Sequence, residues 1–178
     1  MDYNILIQNI LAGKRADFAP LVQHFQYSLF SYLGRMGFSQ AQAEELAQET
    51  FLRAWQHLGE YDAKRAEFST WLFTIAHRLA LNELDRASTR LETPLDENFE
   101  PASPSTSPTE QLEYSEQQRL VQSALLKLPV PERSIIALAY TQGLDMKTLA
   151  KIENCTEAAI KVRLHRAKEH LRALLESA

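Results

Sequence analysis

The sequence predicts an all-α protein made of two small helical domains that are joined by a flexible acidic linker. Apolar residues recur at three- and four-residue spacing along most of the chain, and no segment alternates with the period of a β-strand. The composition changes sharply between residues 92 and 110, where four of the seven prolines fall and no Lys or Arg occurs. With 178 residues and 45% hydrophobic content, the chain can bury a substantial core.

Residues 91–111 are interpreted as the linker. Proline stops helices, and the Ser, Thr and acidic residues of this segment keep it solvated. The alternative is a long ordered loop within one domain, which is disfavoured because structureless loops of this length are uncommon in compact domains. The predicted domains are therefore residues 1–90 and 112–178.

Capping signals divide the N-terminal domain into helices. Asp17 can cap the first strongly periodic helix, and Gly37 can end it. Ser39 and Gln42 have the spacing of a capping box at the start of the next helix, which Gly59 is expected to stop. A polar loop and one more helix complete this domain.

The C-terminal domain begins with a helix that Pro129 ends. Pro131 suits the first turn of a second helix, which Gly143 is expected to terminate. Asp145 can then cap a short helix, and Thr156 can cap the last helix of the chain.

The segment after Asp145 has the pattern of a helix-turn-helix. Asn154 stands at the turn, where its short polar side chain tolerates a left-handed backbone, and Cys155 is interpreted as a packed turn residue. At about 100° per residue, one stripe of the last helix is apolar. The stripe comprises Ile160, Leu164, Ala167, Leu171 and Leu174.

Positive charge is concentrated on this last helix. The whole chain carries a formal charge of -4, yet residues 128–178 hold eight basic and six acidic groups. Five cations between 161 and 172 lie off the apolar stripe, as docking in a DNA major groove requires. The alternative is an ordinary solvated helix, which the preceding short helix and turn disfavour.

Two features of the N-terminal domain are candidates for binding. The helix after Ser39 combines acidic and amide groups with exposed apolar ones, which suits a basic protein partner, although an ordinary acidic solvent face is the alternative. The following stretch, 61–72, interleaves aromatic and basic residues, which is typical of surfaces that stack unpaired bases. Its alternative is a set of core aromatic residues beside a solvated loop.

Several function classes are excluded or disfavoured. A single cysteine rules out an internal disulfide framework and a Cys-cluster zinc site. The N-terminus lacks the basic segment of a signal peptide, and the longest apolar runs are too short to span a bilayer. No phosphate loop, nucleophile–base pair or metal-ligand cluster is recognisable, so we expect no enzyme, cofactor or metal. The expected location is the reducing cytoplasm, without membrane insertion.

Together, these residues resemble the extracytoplasmic-function (ECF) group of bacterial RNA polymerase sigma factors. Two motif sets in the family's order and spacing carry the resemblance, which covers both halves of the chain. The segments are AEELAQETFLRAW (Ala43–Trp55), FSTWLFTIAHRLALNEL (Phe68–Leu84), LPVPERSIIALAYTQGL (Leu128–Leu144) and LAKIENCTEAAIKVRLHRAKEHLRALL (Leu149–Leu175).

The resemblance implies three binding surfaces. The polymerase-binding candidates, which would dock on a coiled coil of the β′ subunit of core RNA polymerase, are Glu45, Gln48, Glu49, Leu52 and Trp55. The candidates for melting and reading the minus-ten promoter element are Lys64, Arg65, Phe68, Trp71, His77, Asn82 and Arg86. The candidates for reading the minus-thirty-five element are Glu157, Ala158, Lys161, Arg163, His165, Arg166 and Lys168.

The implied function is a promoter-specificity factor that binds core polymerase, including its β and β′ subunits, together with promoter DNA. The family also implies control by an anti-sigma protein. Two alternatives remain open from the residues alone: a free-standing helix-turn-helix regulator, and a helical adaptor that binds only proteins.

The sequence departs from the family pattern at several positions. Acidic residues interrupt the basic run that commonly follows the melting helix, at Glu83 and Asp85. Glu153 stands where an apolar residue is common, and Asn154 where glycine is common. These departures are expected to change promoter preference more than the fold.

Overall fold

The computed structural model describes residues 2–91, 116–141 and 144–177, with all side chains in these ranges except those of 91, 116 and 118. The described residues form α-helices and two short 3₁₀ turns, and contain no β-strand. The helices are α1 (Tyr3–Leu11), α2 (Phe18–Met36), α3 (Gln40–Gln56), α4 (Phe68–Leu91), α5 (Glu116–Lys127), α6 (Val130–Ala139), α7 (Met146–Ile152) and α8 (Glu157–Glu176). The predicted all-α class is confirmed.

Most of the predicted linker lies outside the described residues, as does Gly143, the expected end of a helix. Among the described residues, no helix combines the length and apolarity that crossing a bilayer requires.

Local capping signals account for most helix boundaries. Ser39 and Gln42 form the predicted capping box, in which the Ser39 hydroxyl accepts from the Gln42 amide at 3.1 Å. Asp145 and Thr156 cap α7 and α8 by accepting from backbone amides three residues later. Gly37 ends α2 in the left-handed region at φ 100°. These four predictions are confirmed.

Three details differ from expectation. The carboxylate of Asp17 accepts a hydrogen bond from Asn9 at 2.8 Å and makes no cap on α2. Helix α3 ends at Gln56, before Gly59, because the chain tightens into a 3₁₀ turn that buries Leu58. Helix α1 was not predicted as a separate helix, although Asp2 caps it by accepting from the Asn4 amide at 3.0 Å.

The N-terminal core lies between α2, α3 and α4. Tyr32 and Leu33 of α2 are fully buried, and Phe73 of α4 packs edge-on against Tyr32 with 6.0 Å between ring centroids. The core of the C-terminal domain lies between α6, α7 and α8, where Ile160 and Leu164 represent the predicted apolar stripe.

The two domains pack against each other. Helices α5 and α6 contact α2, and α7 contacts α4. Buried apolar residues of both domains form one continuous cluster across this boundary.

Candidate nucleic-acid and protein interfaces

A groove between α3 and α4 collects the polymerase-binding candidates. Its cavity volume is about 540 Å³. Four of the five candidates line it: Glu45, Gln48, Glu49 and Leu52. Leu52 is 50% exposed and leaves an apolar surface beside the acids. The groove therefore offers acidic and apolar groups together.

Two details alter the expected chemistry of this groove. The Glu49 carboxylate accepts from Arg53 at 2.6 Å, so part of its charge is already balanced within α3. Trp55 does not line the groove; it is half-buried and packs edge-on against Phe18 at 5.0 Å between ring centroids. Glu45 is consequently the better-placed acid for a partner.

Asn82 and Arg86 also line this groove, although they were predicted to read the minus-ten element. Asn82 lies about 21 Å along α4 from Phe68 and Arg86 about 27 Å, because they are 14 and 18 positions further along the helix. The structure therefore does not bring them together with the aromatic end of α4. They instead extend the α3–α4 groove.

The aromatic end of α4 forms a compact cluster with the preceding loop. The ring centroids of Tyr61 and Trp71 are 5.4 Å apart, and Phe68 lies 5.7 Å from Tyr61. The Tyr61 hydroxyl donates to the carbonyl of Ala66 at 3.1 Å, and this hydrogen bond joins the start of the loop to its end. Burial raises the pKa of Tyr61, and the nearby Glu67 and Asp62 raise it further. Tyr61 is thus a neutral hydrogen-bonding group at the base of the loop.

The side chains of this cluster are not equally accessible. Trp71 is half-buried, whereas Lys64 and Arg65 on the loop are exposed. Phe68 is only 2% exposed and packs on Phe25 of α2 at 5.6 Å. The direct base contact predicted for Phe68 does not fit this placement, because its ring makes the contacts of a core residue.

A second pocket lies beside the cluster, with a volume of about 590 Å³. Its walls include Tyr61 and Phe68 and also the first residues of α1, namely Asp2, Tyr3 and Asn4. The sequence did not identify the α1 residues as part of a site. Recognising Asp2 as a helix cap would have placed α1, but its position beside the loop depends on tertiary packing.

His77 is buried between the domains. Its Nδ1 lies 3.0 Å from the Tyr32 hydroxyl and 3.3 Å from the Ser134 hydroxyl, and its Nε2 lies 3.7 Å from the Glu153 carboxylate. Desolvation lowers the pKa of His77, against the opposing effect of Glu153. In this arrangement His77 cannot contact DNA, so its predicted role in reading the minus-ten element does not fit.

The helix-turn-helix is formed as predicted by α7, the turn and α8. Asn154 has the expected left-handed backbone at φ 51°, and it is the non-glycine residue with positive φ in the described ranges. Ala150, at the helix crossing, is 5% exposed, and the half-buried Cys155 packs at the edge of the core. These contacts fix α8 against α6 and α7.

All predicted minus-thirty-five candidates on α8 are exposed. They are Glu157, Ala158, Lys161, Arg163, His165, Arg166 and Lys168. The opposite side of the helix is buried and includes Ile160, Leu164 and Ala167. The Lys168 ammonium lies 5.6 Å from the centre of the Tyr140 ring, which draws that cation toward α6. Arg163 and Arg166 have no such contact and are the better candidates for reaching DNA bases.

The described residues contain no group of three or more His, Cys, Asp or Glu side chains that could hold a metal ion.

Comparison with known proteins matches both domains to one family. The family models for Sigma-70 region 2 and Sigma-70, region 4 match residues 21–90 and 118–171, respectively. The ECF RNA polymerase sigma factor SigL of Mycobacterium tuberculosis is 30% identical over 170 residues, which cover 96% of this chain and 95% of SigL. The chain belongs to the ECF sigma factors. These proteins are transcription initiation factors and not enzymes.

Other relatives agree with this family. The ECF RNA polymerase sigma factor SigW of Bacillus subtilis is 28% identical over 177 residues, which cover 95% of this sigma factor and 94% of SigW. A structure of CnrH in complex with the cytosolic domain of CnrY has a TM-score of 0.73 and 24% identity, and covers 97% of this chain and 96% of CnrH. RpoE of Bartonella quintana, solved with the anti-sigma factor NepR, also has a TM-score of 0.73 and 24% identity, and the match covers 90% of this chain and 97% of RpoE. These two structures share the fold of this sigma factor.

Proposed function

We propose that this sigma factor binds core RNA polymerase through the α3–α4 groove and directs it to promoters that the two domains read separately. The observation that carries the proposal is the match of region 2 and region 4, in that order, to the two halves of one chain. Residues 1–90 are proposed as the polymerase-binding and minus-ten domain, 91–111 as the acidic linker, and 112–178 as the minus-thirty-five domain. The location is the cytoplasm, where bacterial transcription takes place.

The groove supports the polymerase contact through its chemistry. An acidic and apolar surface, with Glu45, Gln48 and Leu52 exposed, complements a basic partner surface. The partner is the coiled coil of the β′ subunit. Asn82 and Arg86 line the far wall of the groove and are proposed to contribute to this contact or to the duplex next to it.

Reading of the minus-ten element is assigned to the loop and the aromatic cluster. Lys64 and Arg65 can follow the phosphates of a separated strand, and Trp71 offers a ring for stacking. The pocket beside Tyr61 has the size and polar lining to hold one extruded base. Phe68 supports this site from below by holding Tyr61 and Trp71 in place.

Reading of the minus-thirty-five element is assigned to α8. A stripe buried against the domain core leaves the opposite side of the helix free to enter a major groove. Arg163 and Arg166 are proposed to contact bases, and Lys161 and Lys168 to contact phosphates.

An anti-sigma protein is proposed as a regulatory partner. The structural relative RpoE was solved with the anti-sigma factor NepR, and CnrH was solved with the cytosolic domain of CnrY. A partner that covers the groove or α8 would prevent initiation.

The test of the proposed function is co-elution of the purified chain with bacterial core RNA polymerase on a sizing column. We expect stoichiometric binding, and we expect Glu45→Lys to weaken it because the substitution reverses a charge in the groove. Glu44→Lys is the matched control, since Glu44 is exposed on the same helix but does not line the groove. Failure of the unmodified chain to bind would overturn the proposal, and equal loss in both variants would overturn the assignment of the groove.

A further inference from the structure

One apolar side chain of α8 does not contribute to the domain core. Val162 is 53% exposed, and among the residues of α8, all of which the structure describes, no other large apolar side chain is exposed. At about 100° per residue, Val162 lies roughly 170° around the helix from the mean direction of the buried stripe. It therefore points away from the core. The minus-thirty-five candidates named from the sequence did not include it.

Val162 does not stabilise the helix itself. Residues with a branched β-carbon lose side-chain freedom in a helix, so Ala, Lys or Glu would be more favourable at an exposed helical position. Valine in a helix has one strongly preferred χ1 angle, however, so its orientation is nearly fixed before any binding event. A short, rigid apolar group thus lies on the surface, and little conformational entropy is lost when it is covered.

Basic side chains flank Val162 on the outward face. His165 and Arg166 lie about 60° and 40° from it around the helix, about one turn towards the C-terminus, and both are exposed. Ala158 lies one turn towards the N-terminus and is also exposed. The centre of the face is therefore apolar over the first part of α8, which is the part of a recognition helix that approaches base edges. The margins carry basic groups that can contact phosphates.

The DNA major groove offers one apolar group to such a surface. Each of the four bases presents hydrogen-bond donors or acceptors there, and only thymine adds a methyl group, at C5. An apolar side chain against an adenine, guanine or cytosine edge removes water from polar atoms without replacing their hydrogen bonds, which is unfavourable. Against the thymine methyl, the same side chain removes water from an apolar surface, which is favourable. Val162 can therefore discriminate between bases without forming a hydrogen bond.

We propose that Val162 is a specificity-determining residue of the minus-thirty-five surface and selects a thymine by contact with its C5-methyl group. The proposal rests on the proposed function, because that function assigns α8 to this promoter element. Arg166 follows Val162 by four residues, which is about 6 Å along the helix. Since successive base pairs are about 3.4 Å apart, the selected thymine should lie within about two base pairs of the base that Arg166 contacts.

The test removes only the methyl group from the DNA. Promoters are first enriched from a random library by initiation with the unmodified chain and core RNA polymerase. Each thymine of the upstream element is then replaced singly by deoxyuridine, which pairs like thymine but lacks the methyl. At subsaturating holoenzyme, we expect at least one replacement to lower initiation about fourfold, the factor for one buried methyl group. No effect of any replacement would overturn the proposal.

Val162→Ala connects the effect of the methyl to the side chain. Alanine is more favourable than valine in a helix, so we expect the variant to fold, and circular dichroism verifies this. On the thymine template the variant should lower initiation about fourfold, and on the sensitive deoxyuridine template it should have little further effect. Equal loss on both templates would place the contact of Val162 elsewhere and would overturn thymine recognition.

Val121→Ala is the matched control. Val121 is an exposed valine too, but it lies on α5 and not on α8. We expect this variant to keep the full sensitivity to the methyl group, and loss of that sensitivity would overturn the assignment to Val162. Initiation by the unmodified chain that is insensitive to every methyl would overturn this proposal and leave the proposed function intact. Failure to initiate from any library template would overturn both.

Discussion

One turn of this sigma factor requires a backbone conformation that most residue types adopt only with strain. Asn154 has a left-handed backbone at the turn between α7 and α8. The backbone amides of Asn154 and Cys155 donate to the carbonyls of Lys151 and Ala150 at 3.3 and 2.9 Å, and α8 begins two residues later at Glu157. The residue therefore matters through the angle between two helices.

We expect Asn154→Ala to lower the free energy of unfolding by about 1 kcal/mol, because a Cβ without a compensating polar group is strained in this region. Asn154→Gly is the comparison, since glycine adopts positive φ without that penalty. Thermal unfolding followed by circular dichroism measures both. Equal melting temperatures for the alanine variant and the unmodified chain would contradict the role of the left-handed turn.

The buried position of His77 between the domains predicts that their packing depends on pH. Burial lowers its pKa in the packed form, while Glu153 opposes this effect and Arg78 reinforces it. Tyr32 and Ser134 also face the ring, as neutral hydroxyls. The separated form, with an ordinary histidine pKa near 6.5, takes up a proton more readily. Protonation of His77 therefore opposes packing of the domains, and its contribution to packing is fully present above about pH 6.5 and is lost as pH falls.

We expect the radius of gyration of the full chain, measured by X-ray scattering, to increase between pH 8 and pH 5.5. His77→Gln should remove most of this dependence, because glutamine does not titrate. A pH-independent radius in the unmodified chain would show that His77 does not control packing of the domains.

At the scale of helices, the sequence was informative where the signal is local. Ser39, Asp145 and Thr156 cap their helices as predicted, since a cap depends on residues within one turn. The burial of Phe68 and His77 was not predicted, because their spacing marks one face of a helix but does not say whether that face contacts solvent, the core or another domain. Only packing on Phe25, and on Ser134, decides this.

Helix α8 shows how one element combines a structural and a binding stripe. Its apolar stripe was predicted by angle, and the exposure of the remaining residues follows from it. The pairing of Lys168 with Tyr140 was not predicted, because it depends on the position of α6.

The double variant Arg163→Ala, Arg166→Ala should reduce initiation on promoters that carry the minus-thirty-five element. Each lost base contact costs about 1–3 kcal/mol. Arg172→Ala is the matched control, because Arg172 lies later on α8 and pairs with Glu169 at 2.8 Å. Run-off transcription on templates with and without the element separates specific from general effects. Equal loss on both kinds of template would contradict base reading by these arginines.

At the scale of the whole molecule, the docking of the two domains could not be predicted from the sequence. The partners lie far apart in the chain, as in the contacts of Lys151 with Arg65 and of Ser134 with His77. Neither hydrophobic periodicity nor helix capping indicates which residues far apart in the chain will be in contact. The departure at Glu153 was visible in the sequence, but its consequence required the position of the opposite domain.

The contact at the C-terminal end of α2 responds differently to mutations in the two domains. Its acceptors are the main-chain carbonyls of Gly34 and Met36, and its donors are the side chains of Gln122 and Arg133. Substitution can delete the donors but cannot delete the acceptors. Over evolutionary time, the N-terminal domain can vary its surface residues here and still offer the same carbonyls. Gly37 is the exception, because any side chain there would meet Leu126. Whether this contact persists is thus decided mainly by changes in the C-terminal domain.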